Sequence, residues 1–226
     1  MINIVIPSKN TYLLMGILNS IENCTSDCTP WGSDVVITII DDGLSENKEY
    51  FSKFARLTTS VVQGVKPFIF ARNVNIGISQ YDDSDVVIVN DDATIWTPNW
   101  LSKLSHAASE YGYGIVAPLI WGGAHKEQDS KQFNESLIDP VPVSMIPFTC
   151  VYITKQTLKT VGKLDERFTN YGFEDDDYCR RTIDAGIKIG VCRNVIVLHQ
   201  VSASFGVNRD MSHNRKIFQE KWSQNE

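Results

Sequence analysis

The chain has 226 residues, 42% apolar and 21% charged, with a formal net charge of −6. That length suits one large domain or two small ones, and the composition is that of an ordinary globular protein. The acidic balance argues against a nucleic-acid backbone as partner, and no stretch approaches the roughly 18 apolar residues of a membrane span.

The N-terminus "MINIVIPSKN" has no basic leader and no small-residue cleavage site, so it is expected to open directly on a strand, and the protein is expected to be cytoplasmic. Five cysteines, Cys24, Cys28, Cys150, Cys179 and Cys192, are scattered among apolar neighbours. An odd number in that pattern suits reduced thiols.

In chain order, "INIVIP" reads as a buried strand. Leu14, Ile17, Leu18 and Ile21 then recur at the spacing of a helix face. "DVVITII" is a second strand, closed by the turn "DDG". Ser45 is a candidate cap for a helix running to about Leu57, and a short strand follows near 59–63. "ARNVNIGISQY" reads as a helix and "DVVIVN" as a strand. Thr97 before Pro98 predicts another helix start, with Leu101, Leu104, Ala108 and Tyr111 on its apolar side.

Strands separated by helices imply a mostly parallel sheet covered on both faces. The segment 121–142 has no clear period and is expected to be a long loop, a place where function often resides. "SMIPFTCVYIT" predicts a strand, then a short helix, then a helix over 174–185 ended by Gly186. A strand to His199 and an amphipathic helix in "SHNRKIFQEKW" complete the chain. With no repeat or linker, the expected organisation is one domain over 1–226.

In an open parallel sheet, ligands bind beyond the carboxyl ends of the strands. Asn90, Asp91 and Asp92 fall at such an end, Asp41 and Asp42 at another, and His199 near a third. Clustered carboxylates repel one another unless a cation sits among them. Oxygen donors with one imidazole suit Mg²⁺ or Mn²⁺, and the imidazole tilts the choice to Mn²⁺. Each residue also has an ordinary explanation. Asp after a strand is common turn chemistry, a strand-end His is usually a hydrogen-bonded core group, and acids opening a helix complement its dipole.

Taken in order, "IVIPSKN", "IIDDGLSEN", "ARNVNIGI", "VIVNDDATIWTPNWL", "YGFEDDDYCRR", "LHQVSASFG" and "RKIFQEKW" resemble family 2 glycosyltransferases of the GT-A fold over nearly the whole chain. The resemblance implies a Rossmann-like α/β domain, with residues 1–92 as its nucleotide-binding half and 93–226 as its acceptor-binding and catalytic half. It would move a sugar, with inversion, from a nucleoside-diphosphate sugar to a carbohydrate or glycoconjugate acceptor. It also implies that Asp92 and His199 ligate Mn²⁺ or Mg²⁺, with Asn90 or Asp91 completing the motif. Asn90 stands where the family motif has its first Asp, and a neutral amide is the poorer ligand. Pro7, Asp41, Arg72 and Asp91 are implied to bind the nucleotide. Asp175 is implied to be the general base, Glu174 to be its alternative or to orient the acceptor, and Asp177 to hold the segment in place. The loop 121–142, Trp96, Trp121 and the segment around Asn208 and Arg209 are further candidates for contact with donor or acceptor, though core packing is the commoner role of tryptophan. Two rivals remain: a nucleotidyltransferase, for which the glycine-rich basic loop is missing, and a sugar- or nucleotide-binding module that has lost its chemistry.

Overall fold

The computed structural model describes residues 1–25, 34–44, 54, 57–122, 125–169, 172–200 and 210–223. Cys28, Asn208, Arg209 and most of the helix expected after Ser45 lie outside the described residues.

Four strands, β1 (Ile2–Ser8), β2 (Val35–Asp41), β3 (Thr59–Gln63) and β4 (Asp85–Val89), are parallel in the order β3-β2-β1-β4. Their apolar runs are buried because helices cover both faces. On one side, α1 (Thr11–Asn23) inserts Leu14, Ile17, Leu18 and Ile21 against Ile4, Ile6, Ile37 and Ile39. Each such side chain contributes about 1.5–3 kcal/mol of burial. On the other side, α2 (Phe70–Ile78) lays Val74 and Ile78 on Val5 and Ile88. A Cβ on Gly77 would lie 2.4 Å from Val5 Cγ1, so this helix meets β1 more closely than any other residue would permit.

The second half changes direction. β5 (Ala93–Ile95), β6 (Tyr113–Trp121), β7 (Val141–Pro142), β8 (Cys150–Ile153) and β9 (Lys188–His199) extend the sheet as β4-β8-β6-β9-β5, with β7 added on β9. β8 is antiparallel to both β4 and β6, and β6 is parallel to β9. β5 and β7 are antiparallel to β9. The parallel expectation therefore holds for the first half, and the sheet as a whole is mixed.

The remaining helices are α3 (Trp100–Tyr111), α4 (Lys155–Val161), α5 (Glu174–Asp184) and α6 (Ser212–Trp222). α3 buries Leu101, Leu104 and Ala108 as its spacing predicts, and Trp100 as well. Its start differs from expectation. Thr97 does not cap it: its hydroxyl oxygen accepts from the Ile196 N–H at 2.8 Å, and Asn99, at φ 57°, precedes the first turn. α5 has the expected bounds and ends before Gly186 at φ 74°, but Ile183 is exposed. Within the segment 121–142, residues 125–142 form a built strap more than a loop. It holds two short 3₁₀ turns and β7, and it is pinned by buried Gln128, whose Nε2 donates to the Pro118 carbonyl at 3.0 Å.

Candidate active site

Chain connections leave β1 and β4 in opposite directions, which opens a crevice at their carboxyl ends. Pro7, Ser8 and Lys9 line one wall, Asn90, Asp91 and Asp92 the other, with Asp42, Phe68 and Phe70 closing it. A second cleft of about 480 Å³ opens between α1 and the same Asp91 and Asp92, bounded by Thr94 and Gln200.

The "NDDA" segment is a tight turn. The Ala93 N–H returns to the Asn90 carbonyl at 3.2 Å, while the Asn90 N–H bonds the Thr149 carbonyl at 3.0 Å. The chain then enters β5, whose register puts Ala93 opposite His199, and the Gln200 N–H closes on the Asp92 carbonyl at 2.9 Å. This pairing brings together residues more than a hundred positions apart: His199 Nε2 lies 3.3 Å from Asp92 Oδ1, both side chains largely buried. Opposite them, Gly122 at φ 96° passes so close that a Cβ would lie 2.7 Å from the His199 carbonyl oxygen. The three-residue β5 and the role of Gly122 have no sequence signal beyond a brief apolar run and a glycine pair.

The chemistry of this pair fits a small divalent cation. Donors bound to one ion at about 2.1 Å sit about 3 Å apart when adjacent in an octahedron, close to the observed separation. His199 Nδ1 is buried with no hydrogen-bond partner among the described residues. No cluster of three or more His, Cys, Asp or Glu with metal-binding geometry occurs among them either. The described residues thus offer two donors to such an ion, which would leave positions for water or phosphate oxygens. Asn90 acts on the turn through its backbone.

The other predicted nucleotide residues separate. Pro7 and Asp91 line the crevice, and Asp91 Oδ2 accepts from the Ser8 hydroxyl at 2.6 Å. Asp41 spends Oδ1 on its own turn, accepting from the Gly43 and Leu44 N–H groups at 2.8 Å. Arg72 is not among the crevice-lining side chains; its guanidinium donates to the carbonyls of Val65 and Pro67. That loop carries Lys66, which pairs with Asp42 at 2.9 Å. Lys66, Phe68 and Phe70 were not singled out from sequence, although the aromatic run just before "ARN" was a usable signal.

The acidic segment opens α5. Asp177 is fully buried and bonds Arg181 Nε at 2.9 Å, Lys221 Nζ at 2.7 Å and Trp222 Nε1 at 3.1 Å. It holds α6 against the first turn of α5, so it secures the segment. Asp175 accepts N–H bonds from Asp176 and Phe148. Phe148 adjoins Thr149, the partner of Asn90, so Asp175 meets the sheet beside the "NDD" turn. Burial, then the neighbouring Asp176 charge, raise the Asp175 carboxyl above its ordinary value. Burial and the Asp175 charge raise Glu174 as well, and its Oε2 is buried with no hydrogen-bond partner among the described residues. Burial also raises Asp176, against which the His125 charge of the strap acts.

Four cysteines, Cys24, Cys150, Cys179 and Cys192, are free thiols, and none joins the site. Among the described residues no helix is long and apolar enough to cross a membrane. Trp96 and Trp121, for which core packing was the commoner expectation, are both exposed.

No family model matches the sequence. A curated relative, an uncharacterised protein y4gI of Sinorhizobium fredii, is 22% identical over 231 residues, covering 91% of this chain and 25% of the relative. Among solved structures, GalNAc-T7 with UDP, GalNAc and Mn²⁺ superposes with a TM-score of 0.74 at 15% identity, over 97% of this chain and 47% of that one. S. aureus TarS gives 0.73 at 14% identity, over 99% and 39%. The mannosyltransferase PcManGT of Pyrobaculum calidifontis, in complex with GDP-Man and Mn²⁺, gives 0.68 at 14% identity, over 90% and 58%. The chain spans about a quarter of the curated relative's length and half or less of the first two solved chains. A mixed sheet of this order, with its crevice at the ends of β1 and β4, is the GT-A glycosyltransferase fold.

Proposed function

We propose that the chain is a metal-assisted glycosyltransferase that moves a sugar from a nucleoside-diphosphate sugar to an acceptor hydroxyl with inversion. The observation that carries this reading is the meeting of Asp92 and His199 at 3.3 Å beside the crevice. Solved GT-A enzymes holding UDP or GDP-Man together with Mn²⁺ support it at the level of the fold.

Asp92 and His199 would hold Mn²⁺ or Mg²⁺, with the Asn90 amide or Asp91 as a weaker third donor. When bound, the cation supplies Lewis-acid stabilisation of the charge that grows on the leaving diphosphate. Pro7, Phe68 and Phe70 give the base an apolar wall. Asp41, with Oδ1 committed to its turn, would turn Oδ2 to the base or ribose, and Arg72 supports the 65–67 loop beside them.

Asp175 takes the proton of the acceptor hydroxyl. That oxygen forms its bond to the anomeric carbon from the side opposite the diphosphate as the anomeric C–O bond breaks, and the electron pair leaves on the diphosphate. A carboxylate of raised proton affinity is the better base for an alcohol. Glu174, neutral over a wider pH range than an ordinary Glu, can donate a hydrogen bond to the acceptor.

A screen of UDP-, GDP- and dTDP-sugars with and without Mn²⁺ tests the proposal. A donor at a hundred times its Kd stabilises the fold by about 2.7 kcal/mol. A Mn²⁺-dependent rise in Tm with one nucleotide class, lost in His199→Ala, is expected. No response to any of them refutes the reading. Donor hydrolysis separates an active transferase from a module that has lost its chemistry, since only the former releases free sugar.

A further inference from the structure

Trp96 and Trp121 are 59% and 56% exposed, yet their rings touch, with centroids 6.4 Å apart and planes at 75°. A single exposed apolar side chain is ordinary. Two indoles in mutual contact and more than half open to water form a recognition surface.

The sheet assembles this pair. Trp96 follows β5, and its N–H bonds the Ile196 carbonyl at 3.3 Å; Trp121 ends β6 opposite Leu198. β9 therefore runs between the strands that carry the indoles, and the residue after Leu198 is His199. Thr94, two positions before Trp96 and opposite Leu198, shares the same face by strand alternation and adds a hydroxyl.

The pair is also bound to the reaction centre by short stretches of chain. Trp96 is four residues from Asp92, and Trp121 precedes Gly122, which packs against the His199 carbonyl. Four residues span at most about 14 Å. A ligand resting on the indoles thus has the Asp92–His199 pair within reach of its next few units.

An indole face carries the negative end of the ring quadrupole. A pyranose presents it with a face of polarised C–H bonds while its hydroxyls stay hydrated. Two rings set at a steep angle suit successive sugar units that turn relative to one another.

We propose that Trp96 and Trp121 form an acceptor platform that binds a pyranose oligosaccharide by stacking and leads its reactive end towards Asp175. The acceptor role rests on the transferase reading; the carbohydrate platform itself does not.

The test uses the full chain without donor or metal, titrated with cellohexaose, chitohexaose, maltohexaose and α-1,6-mannohexaose while tryptophan fluorescence is followed. At least one is expected to bind. Trp96→Ala and Trp121→Ala should each weaken that binding about tenfold, and the Phe variants should restore it to within about threefold. Their Tm and Mn²⁺-dependent donor stabilisation should match wild type. Binding of none of the four, or equal binding by the Ala variants, overturns the platform. So does a double Ala variant that sediments as a monomer where wild type is a dimer, because the indoles would then serve self-association. Trp-dependent oligosaccharide binding in a protein that answers to no nucleotide sugar would support the platform and refute the transferase reading.

Discussion

At the ends of β2 and β4, Asp41 accepts from the Gly43 and Leu44 N–H groups and Asp91 from Ser8, while Asp42 is ion-paired with Lys66 and accepts from the Asn73 amide at 3.4 Å. Near the same turn, at the start of α5, Glu174 has a buried oxygen without a hydrogen-bond partner among the described residues, and burial raises both its carboxyl and that of Asp175. The two regions are similarly acidic and differ in what their acids do. Carboxylates paired with backbone N–H groups, a hydroxyl or a lysine charge shape a pocket. Carboxyls kept from water, with partners that do not fully compensate them, hold proton affinity in reserve.

Removing the reserve altogether is the hardest test of that contrast. Asp175→Asn should lower the rate of transfer by about two to four orders of magnitude while nucleotide affinity stays within about threefold of wild type. Steady-state kinetics beside calorimetric titration of the nucleotide would show it, and substantial residual turnover would take the base role from Asp175.

Asp177 belongs to the same helix, yet its carboxyl is fully compensated, so its loss should be structural. Asp177→Ala leaves Arg181 and Lys221 facing a buried gap and should cost about 3–5 kcal/mol. Urea unfolding is the measurement, and a change below about 1 kcal/mol would mean that α6 is held elsewhere.

The pH dependence sharpens the difference further. If Asp175 is the base, it acts only when deprotonated, and its proton affinity is raised. Activity should therefore fall, as pH is lowered, at a higher pH than an ordinary carboxylate would set. The Asp176 charge contributes to that rise, so Asp176→Asn should move the acid limb of kcat/KM to lower pH. An unmoved limb would assign the titration to another group. Stability carries the opposite sign. A carboxyl with raised folded-state affinity favours the fold at low pH, and the fold loses that contribution as pH rises through the raised value. Glu174→Gln should accordingly raise Tm at pH 8 relative to wild type, with little effect at pH 4.

The smallest effect is expected at Gly122. Gly122→Ala places a Cβ against the His199 carbonyl at a positive φ, and the backbone has to shift. A loss of a few degrees in Tm, with weaker Mn²⁺-dependent donor stabilisation, is expected. Full retention of the latter would show that β9 accommodates the methyl without moving the imidazole.

Much of the first half was legible in the residues because its signals are local. An apolar run, a capping side chain and a helical spacing each act within a dozen positions. β1 to β4, the face of α1 and the acids at the strand ends follow from them. The bounds of α5 and α6 and the end of β9 at His199 were readable for the same reason. The pairing of β5 with β9 was not, because three residues have no period and a register spanning a hundred positions is set by what else the sheet buries. Nor was the exposure of Trp96 and Trp121, since an indole reads the same in a core and on a surface. Thr97 offers its hydroxyl to β9 where local chemistry had it capping a helix, a case of tertiary partners overriding propensity. Short-range sequence determined which elements form and which acids end them. Long-range burial alone decided that Asp92 meets His199, because only the assembled sheet brings their strands to one edge.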